Sequence, residues 1–237
     1  MIPTLGRQGT LVVGLGRSGI GAARLLRALG EPVRLVESRS GDALAEQAAA
    51  MEAEGIPVLL GLPLDADRFD ALTPPPATVV VSPGIRFDHP ALETLRSRGV
   101  EVRGELVGAW RASGSVPWIG ITGTNGKTTV THLVHHLLVS GGLDAPLCGN
   151  VGTSAADVVR QRIVEAAHPS PRPDWLVVEL SSYQIEAAPE LAPAIGIWTT
   201  LTPDHLERHG TLEAYRAIKR HLLDQSGLRI QIGRAHV

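Results

Sequence analysis

A short apolar run at Leu11 to Gly14 gives way to Ser18–Leu29, where apolar residues recur at helical spacing until Gly30 stops them. The alternation repeats: Val33 to Val36 reads as a strand ending at Glu37, Asp42 to Glu54 as a helix closed by Gly55, and Val58 to Leu60 as extended. Thr78 to Val81 reads as a buried strand broken by Ser82-Pro83-Gly84, Pro90 to Arg98 as a helix and Val100 to Val102 as extended. Strands alternating with helices predict an α/β fold, a doubly wound parallel sheet with helices on both faces, over residues 1–112. Ala112 to Pro117 turns small and polar and is expected to be a linker. A second α/β unit is expected over 117–237, with strand Trp118 to Thr122, a glycine loop, a helix from Lys127 to Val139, strands at Trp175 to Glu179 and Ala194 to Thr199, and a helix at Leu212 to Leu223. His168 to Pro173 carries three prolines and is expected to be a surface loop. Gln225 to Val237 shows no helix or strand partner, so the second sheet is expected to be truncated with an exposed edge, and Ile232 to Val237 has the character of a translated adapter scar.

Composition narrows the function classes. Basic and acidic residues number 22 and 24, a formal charge of −2, which argues against a general nucleic-acid or acidic-membrane binder. Phosphate recognition must therefore come from local loops and helix ends. Cys148 is the single cysteine, so no intramolecular disulfide is possible, and with no apolar leader or membrane-length run the chain is expected to be soluble and cytoplasmic. Aromatics make up only 3%, so the core must rest on Ala, Val, Leu and Ile.

Gly14-Leu15-Gly16-Arg17-Ser18-Gly19 matches G-x-G-x-x-G between a predicted strand and helix, with Glu37 about 20 residues on. Such glycines permit a tight turn and bring helix N-terminal amides to a phosphate. On this motif alone, a dinucleotide such as NAD, another nucleotide diphosphate and plain packing all stay open.

Gly123-Thr124-Asn125-Gly126-Lys127-Thr128-Thr129 is more specific. It follows a strand and opens a helix, so its amides can cradle the β- and γ-phosphates of ATP, Lys127 can neutralise developing charge and Thr128 can face Mg²⁺. The full phosphate-loop pattern would want glycine at 121, where Ile121 stands. Glu179 ends a strand where a metal-binding carboxylate can sit, or it is a solvated strand-end glutamate. In Thr202-Pro203-Asp204-His205-Leu206-Glu207-Arg208-His209, His205 is a candidate ligand for a divalent ion, with a capping role for Asp204 as the plainer alternative. His132, His135 and His136 have metal-like spacing but read as a polar helix face. Lys219, from spacing alone, is an ordinary surface lysine.

Taken in order, four segments resemble the Mur ligase family: Val13 to Gly19, Val81-Ser-Pro-Gly-Ile85, Ile121 to Thr129, and Glu179-Leu-Ser-Ser-Tyr-Gln184 with Leu201 to Gly210. The likeness runs from about residue 5 to about residue 224, and the short phosphate loop is the family's own form. It implies a Rossmann-like N-terminal domain that holds the UDP of a substrate rather than NAD. Gly16, Arg17 and Ser18 would meet the diphosphate, Glu37, Ser38 and Arg39 would flank the uracil, and Ser82, Pro83 and Gly84 would line the same cleft. It also implies a central P-loop domain binding ATP and two Mg²⁺ ions, through Lys127, Thr128, Glu179 and His205, with Asn150 and Ser181 near the substrate. Lys219 aligns with a carbamylated lysine that positions metal. The branch pairing Gly-Leu-Gly-x-Ser-Gly with Ser-Pro-Gly-Ile implies ATP-driven addition of D-glutamate to UDP-N-acetylmuramoyl-L-alanine through an acyl phosphate, with no nucleic-acid or membrane partner. The alternatives are a nicotinamide-dependent oxidoreductase, a P-loop kinase or GTPase, or a relative adding another amino acid. The family's C-terminal ligase domain has no counterpart in this sequence, so the chain is expected to be inactive alone.

Overall fold

The computed structural model describes residues 8–166 and 172–233. Among these, two five-stranded sheets form, and every strand pairing is parallel. The expected loop at 168–173 lies outside the described residues except for Arg172 and Pro173, as does most of 232–237.

The first sheet contains β1 (Thr10–Val13), β2 (Val33–Glu37), β3 (Val58–Leu60), β4 (Thr78–Val81) and β5 (Glu101–Gly104), in the order β3-β2-β1-β4-β5. All four β1 residues are buried, as a strand covered on both faces requires. α1 (Arg17–Ala28) and α2 (Asp42–Ala53) cover one face, burying Ala22, Ala23, Leu26 and Met51 against Val12, Leu35 and Val80. α3 (Ala66–Asp70) and α4 (Pro90–Ser97) cover the other with Phe69, Leu92 and Leu95. Because the chain goes outward from β1 to β3 and then returns to β4, the strand order reverses between β1 and β4, and a crevice opens at their carboxyl ends.

The second sheet, β10-β9-β6-β8-β7, contains β6 (Trp118–Thr122), β7 (Leu147–Gly149), β8 (Leu176–Glu179), β9 (Ile195–Trp198) and β10 (Leu228–Gln231). α6 (Lys127–Ser140) packs Val130, Val134 and Leu138 on one face. The other face is shared: α7 (Ala155–Val159) and α10 (Leu212–Gln225) meet α5 (Glu105–Ser113) and Leu25 of α1 in one core. Short helices α8 (Ser182–Glu186) and α9 (Leu206–His209) follow β8 and β9.

Two expectations change. The stretch before the expected linker is a helix, α5, reaching Ser113; its Gly108 and uneven apolar spacing hid it, yet Leu106, Val107 and Ala109 are buried between the two sheets. The tail does have a partner: Leu228–Gln231 pairs in parallel with β9, Leu228 opposite Ile195 and Ile230 opposite Ile197. A four-residue alternation is too short to stand out in sequence, and its side chains are all exposed at the sheet edge.

Trp118 is fully buried, its indole N–H donating to Ser113 Oγ at 3.0 Å, and Trp110 meets it edge-on with ring centroids 5.3 Å apart. Such a pair contributes about 1 kcal/mol beyond its burial.

At the start of α5, Glu105 is only 4% exposed and accepts a bond from Gln184 Nε2 of α8 at 3.0 Å. Burial pushes its carboxyl up to about 7, against the hydrogen bonds from Gln184 and the Glu105 and Leu106 amides. A carboxyl whose folded pKa is raised keeps its proton in the folded chain after the unfolded chain has lost it. Its favourable contribution is complete below about 4.5 and is lost as pH rises to about 7. Glu105→Gln should therefore flatten the pH dependence of stability between those values, a difference of about 3 kcal/mol at most. Urea melts of both proteins across that range measure it; parallel curves would refute the assignment.

Candidate functional site

The first sheet's crevice is a cleft of about 590 Å³ formed by the glycine turn, Glu37 to Arg39, Leu62, Leu64, Ser82 to Ile85 and Asn150. Two glycines of the turn are required by the fold. Gly14 has φ 106° and a Cβ there would lie 2.8 Å from Ser82 Oγ; a Cβ on Gly19 would lie 2.0 Å from the Gly14 carbonyl. Gly16, by contrast, faces open space and has an ordinary extended backbone. Ser82 Oγ is buried there without a hydrogen-bond partner. Glu37 is 5% exposed; burial alone would raise its pKa, but bonds from the Arg39 guanidinium and from the Arg39 and Leu15 amides hold it down at about 2. An anion fixed at the end of β2 accepts hydrogen bonds and repels phosphate, so it suits the polar end of a nucleoside, with the diphosphate toward the turn.

The second sheet presents three adjoining strand ends, those of β8, β6 and β9. After β6 comes the phosphate loop. A Cβ on Gly123, at φ 148°, would fall 1.9 Å from Thr199 Oγ1, and Gly126 is left-handed at φ 80°. The loop after β9 braces it: Thr199 Oγ1 donates to Asn125 O at 2.6 Å and Thr200 Oγ1 accepts from Asn125 N at 3.0 Å. Lys127 Nζ donates to the carbonyls of Gly123 at 3.0 Å and Thr124 at 2.8 Å, while Asn125 and Thr129 are exposed.

Glu179, 2% exposed at the end of β8, joins these parts. Thr128 Oγ1 donates to its Oε2 at 2.8 Å and Asn150 Nδ2 to its Oε1 at 2.9 Å. Asn150 also borders the cleft of the first sheet. Ser181, two residues on, caps α8 in a reciprocal capping box with Gln184.

Lys219 is not a surface lysine. It is 1% exposed, with Nζ 3.0 Å from Gly123 O, 3.3 Å from Thr122 Oγ1 and 4.6 Å from the centre of the Tyr215 ring. Burial, aided by the nearby Lys127 cation, lowers its pKa to about 7. His205 has the left-handed φ of 53° and its Nδ1 lies 3.0 Å from Tyr183 OH. It belongs to a cluster with Tyr183, His209 and Tyr215 that motif reading missed, although Tyr215 stands one helical turn before Lys219. Tyr215 OH lies 3.2 Å from Thr124 Oγ1. Asp204 accepts the His205 amide at 2.9 Å, a local turn bond. Among the described residues no three His, Cys, Asp or Glu side chains gather as a metal-holding group. His132 and His136 are exposed and His135 Nδ1 bonds Ala145 O at 2.7 Å, so these three form no cluster either. Cys148 is buried and its thiol is pushed up to about 12, which leaves it unreactive.

Comparison with known proteins agrees with the geometry. Residues 8–104 match the family described as Mur ligase MurD-like, N-terminal domain, and 121–232 match the Mur ligase middle domain. A UDP-N-acetylmuramoylalanine–D-glutamate ligase of Synechococcus sp. (strain CC9902) is 59% identical over 93% of this chain and 47% of its own length. One of the same name from Prochlorococcus marinus (strain MIT 9313) is 58% identical over 93% and 47%. The chain thus spans about half the length of the curated relatives it matches. In fold it resembles a UDP-N-acetylmuramate:L-alanyl-gamma-D-glutamyl-meso-diaminopimelate ligase from Neisseria meningitides (TM-score 0.61, 19% identity, 98% of this chain and 73% of that one). A UDP-N-acetylmuramate-alanine ligase from Thermotoga maritima is similar at TM-score 0.57, 21% identity, and 97% and 50% coverage. No helix among the described residues is long and apolar enough to cross a membrane.

The glycine geometry separates fold from ligand. Gly19→Ala should cost more than about 2 kcal/mol, because the Gly14 backbone must move. Gly16→Ala should change stability by less than about 1 kcal/mol. Thermal unfolding of the two variants checks the contrast; equal losses would refute it.

Proposed function

This chain belongs to the Mur ligase family, and from that premise we propose that it is the nucleotide-handling half of an ATP-dependent ligase that joins D-glutamate to UDP-N-acetylmuramoyl-L-alanine. The supporting observation is the position of Asn150. It borders the cleft and donates to Glu179, which in turn accepts from Thr128 of the phosphate-loop helix, so one residue links the two sites. A substrate with its diphosphate at Gly16 and Ser18 and its uracil near Glu37, Ser38 and Arg39 would run past Ser82 to Gly84 and Asn150 and bring its far end to the γ-phosphate. A nicotinamide oxidoreductase would leave the loop of Gly123 to Thr129 and buried Lys219 without a task, and a kinase or GTPase would leave the first cleft without one.

In the proposed reaction an oxygen of the alanyl carboxylate attacks the γ-phosphorus of ATP and ADP leaves, giving an acyl phosphate. The amine of D-glutamate then attacks the acyl carbon, and phosphate departs as the amide forms. The amides of the loop hold phosphate oxygens and Lys127 neutralises charge as it moves toward ADP. Thr128 hydroxyl and Glu179 carboxylate, 2.8 Å apart and both oxygen donors, fit Mg²⁺, with His205 as a further candidate ligand. When bound, Mg²⁺ would supply charge neutralisation at the phosphates. Lys219 is suited to carbamylation: near neutral pH a large share of a buried amine with pKa about 7 is uncharged. Its nitrogen can bond to the carbon of CO₂, lose a proton and become the anion that would complete a metal site. We further propose that 1–112 and 117–237 act as separate substrate-binding and ATP-binding domains of a cytoplasmic enzyme.

Calorimetric titration of the chain with UDP-N-acetylmuramoyl-L-alanine, with NADH in parallel, tests the reading. Saturable binding of the sugar nucleotide alone is expected; binding of NADH alone would restore the oxidoreductase. Lys219 is tested separately by ¹³C NMR after equilibration with ¹³C-bicarbonate. A carbamate resonance should appear in the wild-type chain and vanish in Lys219→Arg, and its absence from the wild type would remove Lys219 from the metal site.

A further inference from the structure

Arg17 stands inside the glycine turn, where a guanidinium would ordinarily be assigned to the ligand's diphosphate. The side chain is exposed and lines the cleft, yet both terminal nitrogens of its guanidinium are engaged across the seam. Nη1 donates to Gly152 O at 2.6 Å and Nη2 to Asn150 O at 2.9 Å, both in the loop that follows β7 of the other sheet. That loop turns on glycines, with Gly149 at φ 105° and Gly152 at φ 67°. Its backbone is tied at two further points, Gly149 N to Thr153 O and Asn150 N to Glu179 O, each at 2.9 Å. The side chain of Asn150 then reaches Glu179, and Glu179 reaches Thr128. A continuous path of charge-assisted and amide hydrogen bonds therefore runs from the first residue of α1 to the phosphate-loop helix.

We propose that Arg17 is a positioning residue: a clip between the two sheets that sets the Asn150 loop, and through it the orientation of the Asn150 amide on Glu179, rather than a diphosphate ligand. The clip places the far end of a bound sugar nucleotide against the γ-phosphate site, and in this it rests on the ligase reading above. A guanidinium suits the task because its fixed fork reaches two carbonyls at once, whereas a lysine could bond only one well. Packing beside the clip supports the geometry. A Cβ on Gly21, one turn along α1, would lie 2.3 Å from Ser154 Oγ, so helix and loop already touch backbone to side chain there.

Two measurements on Arg17→Leu and Arg17→Lys decide the matter. The first needs no ligand: hydrogen exchange of the amides of residues 149–153 should quicken about tenfold in Arg17→Leu and less in Arg17→Lys, with β1 unchanged. Unchanged exchange in the loop would overturn the clip. The second compares UDP with UDP-N-acetylmuramoyl-L-alanine by calorimetry. Arg17→Leu should leave the Kd of UDP within about twofold and weaken the longer ligand about tenfold, because the longer one runs on past Asn150 toward the γ-phosphate site. Equal weakening of both would make Arg17 a diphosphate ligand and sink the proposal. Should the wild-type chain bind neither ligand, the ligase reading fails, and loop exchange still decides whether Arg17 clips the sheets.

Discussion

The site depends on one buried carboxylate. Glu179 is taken out of water at the end of β8, and a lone carboxylate there would be costly unless its oxygens were hydrogen-bonded. Thr128 donates to one oxygen and Asn150 to the other. These two donors come from α6 and from the loop after β7, so satisfying Glu179 fixes that helix, that loop and the end of β8 relative to one another. The register of β8 between β6 and β7, with Glu179 opposite both Ile121 and Gly149, sets the carboxylate level with the phosphate loop. Gly149 is required at that level, because a Cβ there would lie 2.3 Å from the Glu179 carbonyl.

Opposite this anion the chain places two cations on one acceptor. Lys127 and Lys219 both donate to the carbonyl of Gly123. Burial disfavours the charged form of Lys219, the nearby Lys127 cation adds to that, and Lys219 drops to about 7. The result is an asymmetric pair, a charged lysine on the loop and a readily neutral one behind it, made by burial rather than by any special sequence. A chain of net charge −2 can in this way carry a positive field that is local.

Much of this was legible in the sequence, and the reasons are specific. Strands β1, β4 and β6 are continuous apolar runs because both faces are covered, and glycine punctuation marked the ends of α1 and α2. The phosphate loop and the glycine turn were visible because close backbone approach leaves few residue types. What stayed hidden has equally physical causes. α5 has no clean period because it is buried between two sheets, and so shows apolar residues on more than one side. β10 is short and lies at an edge, and edges carry little patterning. Lys219 looked like any helical lysine, since its burial against the end of β6 and the loop that follows is a tertiary fact. The family resemblance, not its spacing, raised it to a site residue.

The seam between the sheets determines how far the two sites can move apart. It contains apolar contacts from Leu25, Leu106, Val107 and Ala109, yet its directional parts are polar and spread over its length. Gly104 N donates to Ala187 O at 2.8 Å, Gln184 bonds Glu105, Arg208 bonds Ile85 O and Glu186, and Arg17 bonds the Asn150 loop. A Cβ on Gly104 would sit 2.7 Å from the Ala187 Cβ, so the backbones there are already at contact. An apolar seam alone tolerates sliding, because dispersion is non-directional. Hydrogen bonds at several separated points do not, since any slide breaks more than one of them at once. The seam therefore holds the mouth of the cleft and the loop after β6 in register.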